Sequence, residues 1–333
     1  MNKIKIGIIG CGIITRDAHL PVIKRLADKL DVIAVCNRSE AKAQQIANEL
    51  GLPSTSIWTD WKEMIKEVKE LDAVLIALPI QLNFPVSKAC CEAGLSVLCE
   101  KPAGMSVEEA VETGSFSSKY NVTFMTAENY HYQPKFNKAA ELVREGLIGE
   151  LHSISWNALN YVEADNSYNQ TAWRGADFTI PGGYVLDGGV HAVHALQMIA
   201  GPVQSVFAQV KSIDKNLGAI DTAYALLEHE NSVVTSLNMG WKSLDDERFL
   251  KLYGDKGTLV VKDEKIVQLT TSGEPIEHSF DDENDFFLQW FDFIDALQNN
   301  RSPKLPKQMP IDDVKIIMAV LESGETGKKV TLT

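Results

Sequence analysis

No apolar run in this sequence approaches the roughly 20 residues that cross a bilayer, and no apolar leader follows Met1, which runs directly into Ile4-Lys5-Ile6-Gly7-Ile8-Ile9. A cytoplasmic protein without membrane association is expected. Positive charge is also short: 32 Lys and Arg stand against 45 Asp and Glu, a formal net charge of -13. That balance leaves no broad basic field for nucleic acid or an anionic membrane, so the expected partner is a small molecule, with room only for a local basic pocket. Cysteine is sparse and badly placed for disulfides. Cys11, Cys36, Cys90, Cys91 and Cys99 are odd in number, lie in the first third of the chain and form no C-x-x-C pair. They read as small apolar residues of a reduced protein. Internal repeats and low-complexity segments are absent.

What is present is a chain of 333 residues with 45% hydrophobic content, a length that predicts two domains. Roughly the first 125 residues alternate short apolar runs with amphipathic stretches, the pattern of repeated βαβ units around a parallel sheet. Strands are expected at 4–9, 31–36, 73–78, 96–99 and 122–126, and helices at 18–30, 40–50, 82–93 and 107–120. Gly51 and Gly94 fall where the left-handed residue ending a helix is needed. After Ala127 the texture changes. A helix near 135–145 leads into long alternating segments at 151–160, 203–211, 222–230, 233–239, 249–253 and 258–261, which predict a mostly antiparallel sheet. The aromatics of 285–294 recur at helical spacing and read as core, and a last helix starts at Ile311. The expected boundaries are 1–127 and 128–333.

Gly10-Cys11-Gly12-Ile13-Ile14-Thr15 follows the first strand and precedes a helix, the context of a dinucleotide fingerprint. Gly10 permits the tight turn, and Gly12 lets backbone approach a pyrophosphate that the helix N-terminus stabilises. Thr15 stands where a third glycine would allow close strand–helix packing. The end of the second strand reads Cys36-Asn37-Arg38-Ser39, where a carboxylate would select NAD and repel a 2'-phosphate. Neutral Asn37, the Arg38 guanidinium and the Ser39 hydroxyl favour NADP(H), with NAD(H) as the alternative. The fold class that follows is α/β: an N-terminal Rossmann-type doubly wound parallel sheet plus a C-terminal α+β domain with a large, mostly antiparallel open sheet.

Two further stretches carry chemistry. Leu98-Cys99-Glu100-Lys101-Pro102 sets a Glu-Lys pair at the C-terminal end of a parallel strand, where ligands bind in open α/β sheets. Pro102 biases Lys101 away from helix, and an ammonium there can hydrogen-bond a substrate hydroxyl and favour its alkoxide; the bland alternative is an ion pair with Glu100. In Leu186-Asp187-Gly188-Gly189-Val190-His191-Ala192-Val193-His194, a helix opening at this stretch would place Asp187, His191 and His194 on one face. The face suits either three metal ligands or an acid–base pair. With the fingerprint and Lys101, the acid–base reading completes a set for alcohol oxidation: imidazole accepts a hydroxyl proton near neutral pH, and Asp187 stabilises the imidazolium. His194 reads as a hydrogen-bonded core residue, and no metal is expected.

These pieces, in this order, resemble the Gfo/Idh/MocA family, which includes glucose-fructose oxidoreductase and inositol dehydrogenase. The resemblance rests on Gly10, Gly12 and His19-Leu20-Pro21, on Glu100-Lys101-Pro102, and on the stretch from Gly182 to His191. It extends through Gly146-Leu147-Ile148-Gly149-Glu150-Leu151 and Gly254-Asp255-Lys256-Gly257-Thr258-Leu259. It implies a pyridine-nucleotide oxidoreductase acting on a hydroxyl or carbonyl group of a sugar, polyol or related compound. Lys101 and His191 would flank the reacting oxygen, and Asp187 would position or polarise His191. The implied cofactor contacts are Gly10, Gly12, Ile13, Ile14, Asn37, Arg38, Ser39, Leu78, Pro79, Asn83, Glu100 and Lys101. Two departures stand out: His194 replaces a frequent acidic residue, and Leu78-Pro79-Ile80-Gln81-Leu82-Asn83 lacks the Asn after proline and the His at position 83 that many relatives carry.

Substrate contacts are expected from Lys101, Asp187 and His191, from Asn129 and Tyr130 after the sixth strand, and from Trp173-Arg174 on the loop before the Asp-His helix, where a ring face and a guanidinium suit a sugar. Two other functions fit the same residues. One is cofactor-assisted lysis of a glycosidic bond; the other is a non-catalytic dinucleotide or sugar sensor. The open second-domain sheet predicts a homodimer or homotetramer formed through that sheet.

Overall fold

The computed structural model describes residues 3–163, 165–167, 180–214, 217, 220–244, 249–271 and 273–332. Two compact units form, one from Met1–Glu128 with Phe286–Ile311, the other from Asn129–Asp285 with Asp312–Thr333.

The first unit is built on six strands: β1 (Ile4–Ile9), β2 (Leu30–Cys36), β3 (Ile57–Trp58), β4 (Ala73–Ile76), β5 (Ser96–Glu100) and β6 (Phe124–Ala127). All pairings are parallel, in the order β3-β2-β1-β4-β5-β6. This is the doubly wound order, with its topological switch between β1 and β4. Every residue of β4 and β5 is buried, as a sheet covered on both faces requires. A π-helical turn at Thr15–His19 leads into α1 (Leu20–Arg25); α2 (Glu40–Leu50), α3 (Trp61–Glu67), α4 (Ile80–Glu92) and α5 (Val107–Tyr120) follow. Gly51 and Gly94, at φ 68° and 82°, take the left-handed conformation expected of them. The helix anticipated at 18–30 is shorter and starts as a π turn, while β3 and α3 fall outside the expected set. A two-residue strand carries no alternation to detect. Cys36, Cys90, Cys91 and Cys99 pack into the apolar core beside this sheet.

The second unit carries α6 (Pro134–Arg144), β7 (Leu151–Leu159), α7 (Gly183–Ala200), β8 (Val203–Lys211), β9 (Thr222–His229), β10 (Val234–Gly240), β11 (Phe249–Gly254), β12 (Gly257–Val261), β13 (Ile266–Thr270) and β14 (Ile276–His278). The chain ends with α8 (Asp285–Asn299), α9 (Gln308–Thr326) and β15 (Val330–Thr331). Nine strands make one sheet, ordered β14-β13-β12-β11-β7-β10-β9-β8-β15, antiparallel except for the parallel pair β7–β10. Registry separates its faces. Ile154, Leu252, Leu259, Leu237, Ala225 and Val206 alternate onto a buried face, whereas Phe207, Tyr224, Leu226 and Val234, each 42–51% exposed, lie on the other.

The first division between the units falls at Glu128/Asn129, and a later segment joins the first unit. Phe286–Ile311, which includes most of α8, belongs to the first unit. The physical reason is local. Trp290 is fully buried there and its indole reaches His19, while the Arg25 guanidinium lies 3.6 Å from the Phe287 ring centroid. A helix at the far end of the sequence thereby completes the core of the first unit.

Two sequence motifs a hundred residues apart meet in the second unit. Lys256 N donates to Ile148 O at 2.9 Å, and Glu150 N donates to the Asp255 carboxylate at 2.7 Å. A Cβ on Gly254 would lie 2.1 Å from Ile148 O, so only glycine admits this approach. Gly254→Ala is expected to destabilise the protein by about 1–3 kcal/mol through overpacking against backbone. Urea denaturation of the variant with an unchanged midpoint would contradict this.

Candidate functional site

The chemistry-bearing residues of the first unit gather along the C-terminal edge of its parallel sheet. After β1, Gly10 turns at φ 101°, and a Cβ there would sit 2.2 Å from Ala77 O, at the end of β4. Gly12 faces open space: nothing lies within 4 Å of where its Cβ would be. Its backbone is accessible to a bulky anion at the start of the helical turn, the fit a pyrophosphate needs. Thr15 supplies a contact of its own. Fully buried, it donates its hydroxyl to Gly10 O at 2.6 Å and closes the turn. Ile13 and Ile14 are half-buried between.

At the end of β2, Asn37 braces this turn. Its Oδ1 accepts from Cys11 N at 3.1 Å and its Nδ2 donates to Ser39 O at 3.0 Å. Arg38 and Ser39 are exposed. The end of β2 thus offers a guanidinium and no carboxylate from Cys36 to Ser39.

Glu100 and Lys101 follow at the end of β5, with Lys101 half-buried and its peptide bond to Pro102 cis. Glu100 is only 7% exposed, and a carboxylate so placed must be paired. The partner is His19, whose Nε2 lies 2.8 Å from Glu100 Oε1. Trp290 settles the tautomer, because an indole nitrogen only donates: it gives its proton to His19 Nδ1 at 2.9 Å, leaving Nε2 to donate to Glu100. Asn83, on α4, is 3% exposed and donates its Nδ2 to Glu100 O at 3.0 Å. Its role here is to hold the backbone before Lys101. Leu78 and Pro79 are half-buried at the end of β4.

In the second unit, Asp187, His191 and His194 share a face of α7. The helix does not open at the Asp-Gly-Gly stretch. It starts at Gly183, behind a left-handed Gly182, so the stretch is interior. Trp241 packs against α7 where Gly188 stands, and a Cβ there would lie 2.4 Å from its ring. Asp187 is 5% exposed and His191 half-buried. The His191 ring stacks on Tyr130, centroids 4.6 Å apart and planes 20° apart. Tyr130 sits in a short 3-10 turn, Asn129–Tyr132, whose Asn129 Nδ2 donates to Asp285 at 2.8 Å. Trp173 and Arg174 lie outside the described residues.

His194 is buried completely and bonds to Asp313 and His131 at 2.7 and 3.1 Å. Among the described residues no cluster of three His, Cys, Asp or Glu side chains is arranged to hold a metal. Thiol nucleophiles are also unsupported. All five cysteines are buried and free; burial pushes Cys11, Cys36, Cys91 and Cys99 up to about 12, and Cys90 upward as well.

Sequence patterning did not point to Trp290 as a hydrogen-bond donor, nor to His131, Gln197 and Asp313. The first was hidden among core aromatics, and the others depend on contacts across more than sixty residues.

Comparison with known proteins adds the following. Residues 4–128 match the oxidoreductase family model for the NAD-binding Rossmann fold of Gfo/Idh/MocA proteins, and residues 136–260 match the C-terminal domain model of the same family. An uncharacterised Saccharomyces cerevisiae protein is 30% identical, covering 82% of this chain and 79% of its own. D-xylose 1-dehydrogenase (NADP(+)) 2 of Haloferax volcanii is 27% identical over 98% of this chain and 99% of its own. The crystal structure of an oxidoreductase from Thermotoga maritima superposes with a TM-score of 0.92 at 30% identity, covering 99% of this chain and 98% of that one.

Trp290→Phe keeps the packing but leaves buried His19 Nδ1 without its donor, and should cost about 1–3 kcal/mol of stability. Thermal and chemical unfolding measure this. A variant as stable as the parent would remove the indole from the Glu100 chain.

Proposed function

The chain belongs to the Gfo/Idh/MocA oxidoreductase family, whose first domain is an NAD-binding Rossmann fold, and from that premise we propose that it transfers a hydride between NADP(H) or NAD(H) and a hydroxyl or carbonyl carbon of a sugar, polyol or related small molecule. The observation that carries the reading is the open backbone at Gly12 on the same sheet edge as Lys101, a surface made for a dinucleotide beside a cation suited to a reacting oxygen. A full-length relative named as an NADP(+)-dependent D-xylose dehydrogenase supports the sugar class.

Gly10, Gly12, Ile13 and Ile14 would hold the pyrophosphate, with Leu78, Pro79, Glu100 and Lys101 further along the same edge. Asn83 acts through the Glu100 carbonyl. Asn37, Arg38 and Ser39 would take the adenosine ribose. NADP(H) is favoured because Asn37 already serves the turn through its neutral amide, so Arg38 can meet a 2'-phosphate without a neighbouring carboxylate from Cys36 to Ser39. When bound, the nicotinamide supplies the hydride acceptor or donor. Lys101 hydrogen-bonds the substrate oxygen and favours the alkoxide. His191 accepts the hydroxyl proton, and Asp187, one helical turn earlier, stabilises the imidazolium. Asn129, Tyr130, Trp173 and Arg174 contact the sugar.

No helix among the described residues is long and apolar enough to cross a membrane. Five free thiols suit a reducing compartment, and we place the protein in the cytoplasm. Phe207, Tyr224, Leu226 and Val234 leave an apolar sheet face that a second copy would cover, giving a homodimer or homotetramer. Light scattering at the mass of one chain would contradict that assembly.

Lys101→Ala and His191→Ala should each lower kcat/KM for a sugar substrate by about 10²–10⁴, with NADPH binding kept in His191→Ala and weakened in Lys101→Ala, which also loses a cofactor contact. Steady-state assays with cofactor titrations separate the two effects. Turnover retained in both variants would overturn the assignment.

A further inference from the structure

A buried polar chain runs through the second unit behind His191. Asp313 and His194 are 2% and 0% exposed. One Asp313 oxygen accepts from Gln197 Nε2 at 2.7 Å, and the other lies 2.7 Å from His194 Nδ1. An ionised carboxylate only accepts, so His194 Nδ1 carries the proton in that contact. In the neutral ring Nε2 is then an acceptor. It lies 3.1 Å from His131 Nδ1, which must therefore be the donor. With Asp313 ionised and His194 neutral, the two tautomers follow in sequence: Asp313 sets His194, and His194 sets His131.

The placement of this chain gives it a consequence. His131 is adjacent to Tyr130 in the turn Asn129–Tyr132, and His194 is one helical turn beyond His191 on α7. Two successive residues of the turn thus engage two histidines a turn apart: Tyr130 stacks on His191, and His131 bonds His194. Phe136 closes Tyr130 from its own side, ring centroids 5.2 Å apart. Stacking alone leaves a ring free to slide in its plane, whereas a hydrogen bond one residue away fixes the turn's register against the helix.

We propose that Asp313, His194 and His131 form a positioning chain that locks the Asn129–Tyr132 turn onto α7 and so fixes the orientation of the His191 imidazole through Tyr130. His194 is the centre of this chain. The consequence for turnover rests on the role of His191 proposed above; the tautomers do not.

Two measurements test it. Long-range ¹H–¹⁵N correlation spectra of the histidine-labelled protein should show both His194 and His131 as Nδ1–H tautomers. Resonances are assigned by single His replacements. An Nε2–H or doubly protonated His194 near neutral pH would overturn the chain. The second measurement compares His131→Phe with His131→Asn, at a half-buried position where both should fold. The asparagine amide stands close to where the histidine Nδ1 donates, whereas phenylalanine keeps the ring and loses the donor. His131→Phe should lower kcat about tenfold, with the KM for NADPH unchanged, since small misplacement of a catalytic group costs up to about 10². His131→Asn should restore most of it. If His191→Ala abolishes turnover and His131→Phe does not lower it, the positioning chain fails alone. If His191→Ala leaves turnover intact, the catalytic reading fails while the tautomers still report on the chain.

Discussion

Glu100 is a carboxylate at the C-terminal edge of a buried parallel sheet, and the first unit is arranged to keep it paired. An unpaired buried charge costs several kcal/mol, so the site needs a donor of fixed geometry. His19 is that donor only while Trp290 holds its other nitrogen as an acceptor. The indole that meets this requirement comes from α8, most of which lies in the first unit. The backbone entering Lys101 is held on both sides, by the His19 bond to the Glu100 carboxylate and by Asn83 on its carbonyl. The ammonium proposed to meet the substrate oxygen is thus mounted on a segment with little freedom.

The second unit repeats the logic with different residues. Asp313 is buried, its two oxygens are satisfied by Gln197 and His194, and the imidazole passes the constraint outward to a half-buried partner. In both units a buried carboxylate–imidazole pair lies behind a residue proposed to act on the substrate. The family to which the chain belongs supplies the redox frame, and these pairs supply the rigidity that the proposed proton transfer needs.

Much of this was legible in the sequence where local physics governs. β1, α2, α5 and β8 coincide with their expected spans, because apolar alternation and helix-ending residues such as Gly51 act within a few positions. The fingerprint turn was readable for the same reason. Patterning failed where a contact at long range decides. Gly188 and Gly189 look like a helix start but sit inside α7, where the Trp241 ring leaves no room for a Cβ at Gly188. Trp290 looks like core, and is core, but its nitrogen is committed to a histidine 271 residues away. No local pattern marks Phe286–Ile311 as part of the first unit, because that membership rests on contacts such as Trp290 with His19. His194 could be read as a buried hydrogen-bonded residue, yet nothing local identified Asp313 as its partner.

In the function proposed for this chain, the turn at Gly10–Gly12 and the end of β2 together bind a pyridine dinucleotide, with Arg38 favouring the 2'-phosphate. Titration of the purified protein with NADPH and with NADH, followed by nicotinamide fluorescence, tests it directly for the parent and for Arg38→Asp. Tighter binding of NADPH by the parent and a shift toward NADH in the variant are expected. Binding of neither cofactor to the parent would contradict it.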